Sequence, residues 1–233
     1  GGGSTSGVGC ARTTTGTTSQ DTGDLPASVV NLIDYGSGTD EGRAMAELIA
    51  DVAPGADLMF SSAFISQAGF AAGITALADC GADIIVDDVI YFAEPMFQDG
   101  VIATAAQGVV DRGVTYFSSA GNQATFGVDD VYIDSGVTLG YFGEYNLHDF
   151  DPGPGVDTYA AITLDANEGV LVVMQWNDPF ATGGGPGASD DYDIFLLDAP
   201  SPSANVLATS TDLQGCGWAV EPSGDPLEIV EYT

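Results

Sequence analysis

Between Val29 and Ser118 the sequence alternates, three times over, between short β-branched runs and segments of helical periodicity. Val29 to Asp34 reads as a strand. Met45, Leu48, Ile49 and Val52 then fall at i, i+3, i+4 and i+7, which puts one apolar face on a helix over Glu41 to Ala53, closed by Pro54-Gly55. Ala56 to Ser61 is a second strand, and Gln67 to Cys80 a second helix with Phe70, Ile74 and Leu77 on one face and Gly81 as its stop. Ala82 to Val89 is a third strand whose composition predicts burial on both faces; Phe97 to Arg112 is a helix stopped by Gly113, and Val114 to Ser118 a fourth strand. This order predicts an α/β fold, a parallel sheet with right-handed crossover helices.

After Gly127 the helical period is lost. Thr158 to Leu164, Gly169 to Asn177, Tyr192 to Asp198, Val206 to Ser210 and Leu227 to Tyr232 read as strands between Gly, Pro, Asn and Asp clusters. Val170, Val172, Met174 and Trp176 alternate with their neighbours, as in a sandwich strand. The second half therefore reads as an all-β sandwich module, reached through a Pro/Gly linker. At the other end, 15 of the first 20 residues are Gly, Ser or Thr, the composition of a mobile arm.

Charge excludes whole classes of partner. Against 34 acidic residues stand three basic ones, Arg12, Arg43 and Arg112, for a formal net charge of −31. Such a polyanion cannot neutralise phosphates, so neither nucleic acid nor an anionic membrane is an expected partner. With 45% hydrophobic residues the chain can still build a core. Of the acidic residues 26 are Asp, and with no Lys present this points to a saline or calcium-rich exterior. Cys10, Cys80 and Cys216 form no CxxC pair, so neither a disulfide framework nor a zinc ribbon is indicated; one disulfide beside one free thiol is compatible with the count. No apolar run is long enough to span a membrane, and no secretory leader is visible ahead of the first strand.

Ser118-Ser119-Ala120-Gly121-Asn122 follows the fourth strand. The carboxyl edge of a parallel sheet is where α/β proteins place their sites, and an Asn amide there can donate to a developing oxyanion. Its last three residues, Ala120-Gly121-Asn122, also read as a plain turn using Gly and Asn.

Three segments set this site in a wider pattern: EGRAMAELIADVAPGADL (Glu41 to Leu58), GADIIVDDV (Gly81 to Val89) and GVTYFSSAGN (Gly113 to Asn122). In that order the chain resembles the subtilisin-like and sedolisin-like serine protease superfamily over about Val29 to Asn122. Its DEGRAM, VDDV and YFAEPMFQDG segments look like those of a branch intermediate between the two. The resemblance implies that Glu41 stands where subtilases carry the catalytic His, as a base suited to acidic pH, and that Asn122 is the oxyanion donor. It implies that Asp88, Val89, Ile90 and Tyr91 pair with a polypeptide substrate as an added strand. Arg43, if close, would hold Glu41 ionised; alternatively Asp40 and Glu41 only complement a helix N-terminus.

This sequence also departs from the family. Where sedolisins place an Asp one turn after their Glu stands Met45. Asp34 is a candidate triad Asp or a loop carboxylate, and the family's first strand is not found. No Gly-Thr-Ser segment exists to supply the nucleophile, and the single histidine, His148, reads as a loop residue. A receiver-type pocket built on Asp34 and Asp87 fails for want of a Lys.

The second half resembles the β-sandwich that this branch inserts between its oxyanion and Ser segments, similar to pre-peptidase C-terminal domains, through HDFDPGPGVDTY, VVMQWNDPF and DDYDIFLLD. The implied layout is an arm over 1–27, a partial subtilase-like domain over 28–127, a linker over 128–157 and the insert over 158–233. The chain would then be truncated at both ends and lack the C-terminal part of its own catalytic domain. The expected activity is that of a secreted serine endopeptidase from a saline environment, with this chain alone inactive; the alternative is a non-catalytic, protease-like binding or surface protein. No cofactor is required. Calcium is a candidate ligand of Asp190, Asp191 and Asp193, with Asp178 nearby, unless these simply line a solvated loop.

Overall fold

The computed structural model describes residues 10–13, 18–35, 38–123, 126–140, 145–151, 153–214 and 224–233. The chain divides into two units, residues 1–121 and residues 122–233.

In the first unit β1 (Arg12–Thr13) runs antiparallel to β2 (Val29–Ile33), with the short helix α1 (Thr18–Thr22) between them. The described part of the Gly/Ser/Thr-rich arm is thus structured, and a disulfide joins Cys10 to Cys80. Cys216 lies outside the described residues. Next come α2 (Glu41–Val52), β3 (Met59–Ser61, parallel to β2), α3 (Gln67–Asp79), β4 (Ile84–Asp87), α4 (Val101–Val110) and β5 (Thr115–Ser118, parallel to β4).

Local chemistry explains the helix boundaries. The Ser66 hydroxyl caps α3 by accepting the Gly69 N–H at 3.0 Å. Gly81 and Gly113, both at φ 92°, follow α3 and α4 in a backbone conformation that disfavours side chains. Helix α4 starts later than its periodicity suggested, because Glu94 turns back and accepts the Ala103 N–H at 3.0 Å in its first turn. The core lies where α3 and α4 meet β4: Ile74, Val109, Ile85, Ile102, Phe70, Ala78 and Ala63 are buried together.

Three expectations fail here. The parallel strands form two separate sheets, β1-β2-β3 and β4-β5, rather than one. Strand β4 is buried on one face only, since Ile85 is covered while Ile84 and Val86 are 61% and 46% exposed. The apolar stripe of α2 is bare as well, with Leu48 66% and Val52 87% exposed. The cause is common to the last two: apolar composition marks a face that could be covered, and the described residues provide no second layer.

The described residues of the second unit form strands and no helix. Its strands are β6 (Asp134–Leu139), β7 (Tyr145–His148), β8 (Val170–Gln175), β9 (Ile194–Leu197), β10 (Val206–Ser210) and β11 (Leu227–Tyr232), paired antiparallel as β6-β7, β8-β11 and β9-β10. The expected linker over 128–157 instead contains β6 and β7. It is also pinned by Asp149, which accepts the N–H groups of Asp157 at 2.9 Å and Asp151 at 3.0 Å; these bonds hold its carboxyl below the usual range. Residues 158–164, expected as a strand, form no ladder. Phe180, Val230, Pro226 and Glu228 are fully buried. The Glu228 carboxylate is satisfied by the Ser210 hydroxyl, the Asp212 N–H at 3.1 Å and the Gln214 amide at 2.6 Å.

Candidate functional site

Asp34, Asp87 and Ser118 stand at or just beyond the carboxyl ends of the parallel strands β2, β4 and β5. The chain after β3 and the chain after β4 are tied together there, for the Tyr91 hydroxyl donates to the Ala63 carbonyl at 2.5 Å. The Tyr91 ring lies 6.3 Å from Phe70 and 6.2 Å from Phe64, and burial pushes its phenol up. Residues 88–91 leave β4 in alternation: Val89 and Tyr91 pack on the core while Asp88 and Ile90 are exposed. That is the pattern of a strand edge, although no strand among the described residues pairs with it.

Asp34 follows β2, exposed, and accepts the Asn31 amide at 3.5 Å. Glu41 is the first residue of α2 and is exposed. Among the described residues Arg43 pairs with other carboxylates than Glu41. Its guanidinium holds Asp40 through two contacts, one of them 2.9 Å from Nε, donates to Ser19 Oγ at 2.9 Å and lies 3.8 Å from Glu47. Asp40 therefore faces Arg43 and makes no side-chain cap to the helix. A Cβ at position 42 would stand 2.5 Å from the Phe60 ring of β3, so any residue larger than Gly there requires the ring or α2 to shift.

The sequence offers Asp87 only for a receiver-type pocket and does not single out the cluster around it. Asp87, the last residue of β4, accepts the Tyr116 hydroxyl at 2.5 Å and the Ser118 hydroxyl at 2.8 Å, both from β5. Burial pushes the Tyr116 phenol up, and its bond to Asp87 adds to this. Glu94 is half-buried beside the start of α4. Burial pushes its carboxyl up, the Ala103 N–H opposes this, and the Asp87 charge raises it further. The signal for this cluster was present in the register: Asp87 and Ser118 are opposite one another at the ends of adjacent parallel strands.

Asn122 is exposed at a bend beyond β5, its N–H donating to Gln123 Oε1 at 3.0 Å. It begins the second unit. His148 ends β7 rather than lying in a loop; its Nδ1 accepts the Ile133 N–H at 3.0 Å and its ring stacks on Tyr132 at 5.7 Å. Asp178 caps a turn by accepting the N–H groups of Ser189 and Asp190, each at 2.8 Å. Burial opposes its ionisation, but these bonds prevail and its carboxyl lies low. Asp191 accepts the Gln214 N–H at 2.9 Å. Asp193 is half-buried, and its carboxyl is pushed up to about 6, first by burial and then by the charges of Asp191 and Glu228. Among the described residues no three His, Cys, Asp or Glu side chains form a group able to hold a metal ion, so Asp190, Asp191 and Asp193 are not brought together as one.

Comparison with protein-family models, curated proteins and solved structures finds no match. Among the described residues no helix is long and apolar enough to cross a membrane.

Proposed function

We propose that this chain is part of the α/β domain of a secreted serine endopeptidase, followed by an inserted β module. Glu41 is the general base, Asn122 the oxyanion donor, and residues 88–91 the edge on which a polypeptide substrate is laid. Asp34 is the candidate orienting carboxylate, and the nucleophilic Ser comes from sequence beyond this chain. The observation that carries the reading is the edge at 88–91: a segment leaving the carboxyl end of a parallel strand, its side chains alternating in and out, with no strand paired to it among the described residues. An exposed carboxylate at the start of α2 is compatible with accepting a proton from a Ser hydroxyl at acidic pH.

The test begins with the locus downstream of Thr233. The reading requires a Gly-Thr-Ser segment there, and peptidase activity from the extended chain. In that chain Glu41→Gln should lower kcat by about 10²-fold or more and Asn122→Ala by about 10²–10³-fold. A complete gene lacking that segment would overturn the reading in favour of a non-catalytic binding protein, a class favoured by the lack of a Gly-Thr-Ser in these 233 residues.

A further inference from the structure

We propose that the second unit carries a binding site for a quaternary ammonium group, built on the exposed rings of Tyr132 and Phe150 and on the carboxylates beside them. The site lies within that unit and stands whether or not the protease reading holds.

Five rings run in contact through the second unit in the order Phe150, His148, Tyr132, Tyr192 and Trp176. Their successive centroids are 4.5, 5.7, 5.2 and 5.2 Å apart. The β6-β7 pair places the first three, since Tyr132 stands just before β6 and His148 ends β7. Two hydrogen bonds fix them there: the Tyr132 hydroxyl donates to the Asn146 carbonyl at 3.3 Å, and the Ile133 N–H donates to His148 Nδ1 at 3.0 Å. Trp176, just after β8, meets Tyr192 nearly at right angles, at 79°. A fully covered row of this kind would be ordinary core packing. Tyr132 and Phe150, both packed against His148, are instead 40% and 41% exposed, so ring surface is open to a ligand.

The charge around the row is of one sign. Asp130 reaches to 4.0 Å from His148 Nε2. Burial and then the Asp134 charge push the Tyr132 phenol up; burial and then the Asp190 charge do the same to Tyr192, with Asp178 adding to it. The three arginines of the chain all precede residue 122, where this unit begins, and there is no lysine. The imidazole adds no positive charge either, because Nδ1 accepts the Ile133 N–H and so carries no proton.

Rings and carboxylates together select the ligand. An aromatic face attracts a cation lying within about 6 Å of its centroid. It cannot replace the water lost by a small hard ion, and among the described residues no three carboxylates gather to do so. A quaternary ammonium is weakly hydrated, its methyl groups pack on the rings, and the surrounding carboxylates draw it in. A free small cation and a trimethylated lysine side chain share this chemistry.

The probe is choline, and its control is 3,3-dimethyl-1-butanol, which has the same shape without the charge. Each is added to the whole chain in molar sodium chloride. Saturation transfer from protein ring protons should reach the choline methyl groups, and choline should bind at least about fivefold more tightly than the alcohol. Tyr132→Leu should bring choline down to the affinity of the alcohol, while Tyr132→Phe, which keeps the ring, should retain the preference. Equal binding of the two probes would reduce the row to an apolar patch and overturn the proposal. So would failure of choline to bind in molar salt, which leaves only counterion attraction, or an undiminished preference in a folded Tyr132→Leu variant. The comparison of the two probes on the unmodified chain decides the matter even if that variant does not fold. A trimethyllysine peptide then separates the sources: tighter binding than choline points to a polypeptide side chain, and equal binding to a free small cation.

Discussion

The Tyr116 hydroxyl is bound to the Asp87 carboxylate across the β4-β5 ladder, 2.5 Å away, and this contact joins the buried face of the sheet to its polar carboxyl edge. Tyr116→Phe should cost about 1.5–3 kcal/mol, the usual worth of a hydrogen bond to a charged group. The folded phenol titrates above its unfolded value of about 10. Its contribution is complete below pH 10 and is lost as pH rises through the folded value. Urea unfolding should show an alkaline loss of stability that shrinks in the Phe variant; an unchanged alkaline limb would show that Tyr116 does not supply it.

The Cys10–Cys80 bond spans 70 residues. Chain entropy assigns a loop of that length roughly 4 kcal/mol as an upper figure. Cys10→Ser and Cys80→Ser should lower the melting temperature of the first unit to the same degree, and reductant should add nothing further in either variant. A reductant effect persisting in the variants would place the stabilising thiol chemistry elsewhere.

Asp193 should make the second unit more stable in mild acid than at neutrality. Its carboxyl, pushed up to about 6 by burial and by Asp191 and Glu228, is raised above its unfolded value of about 3.9. The protonated form is thus favoured on folding, and that stabilisation is complete below pH 3.9 and lost as pH rises through 6. After discounting for solvent screening, Asp193→Asn should stabilise the unit by about 1 kcal/mol at neutral pH. Comparing urea midpoints on either side of this window, with chelator present, tests it; equal gains at both pH values would contradict it.

Leu48 and Val52 should tolerate what Ile74 cannot. Ile74 is 1% exposed, and Ile74→Ala should cost about 2–5 kcal/mol. Gln at both Leu48 and Val52 should change stability by no more than about 0.5 kcal/mol at each site, while lowering aggregation measured by light scattering. A core-sized loss from the Gln pair would mean that the α2 stripe is covered in solution.

With a net charge of −31, self-repulsion opposes the compact state until ions screen it. The melting temperature should rise from dilute buffer to molar salt, and a flat response would remove charge as a determinant of stability.

Legibility varied with how much each feature depends on distant partners. Helix α3 was readable because Phe70, Ile74 and Leu77 repeat on one face and Gly81 marks its end, both local signals. Strands β10 and β11 were readable to the residue. Strands β6 and β7 were not, since Asp134, Ser135 and Gly136, or Asn146 and His148, lack apolar alternation, and their pairing depends on each other. Burial on both faces was inferred for β4 from Ile84 to Val86, yet apolar residues cannot report whether a layer lies above them. At the site, Glu41, Asn122 and residues 88–91 stood out by motif, whereas the Asp87, Tyr116, Ser118 and Glu94 cluster arises from register and from Glu94 folding back on α4.

The Cys10–Cys80 bond makes residues 10–80 a closed covalent ring that contains β2, α2, β3 and α3. A single backbone cut anywhere inside that ring opens it without dividing the molecule. Nicked chains would therefore migrate intact on non-reducing gels and separate into two pieces only after reduction, so cleavage in this half would go unseen unless the thiols were freed first.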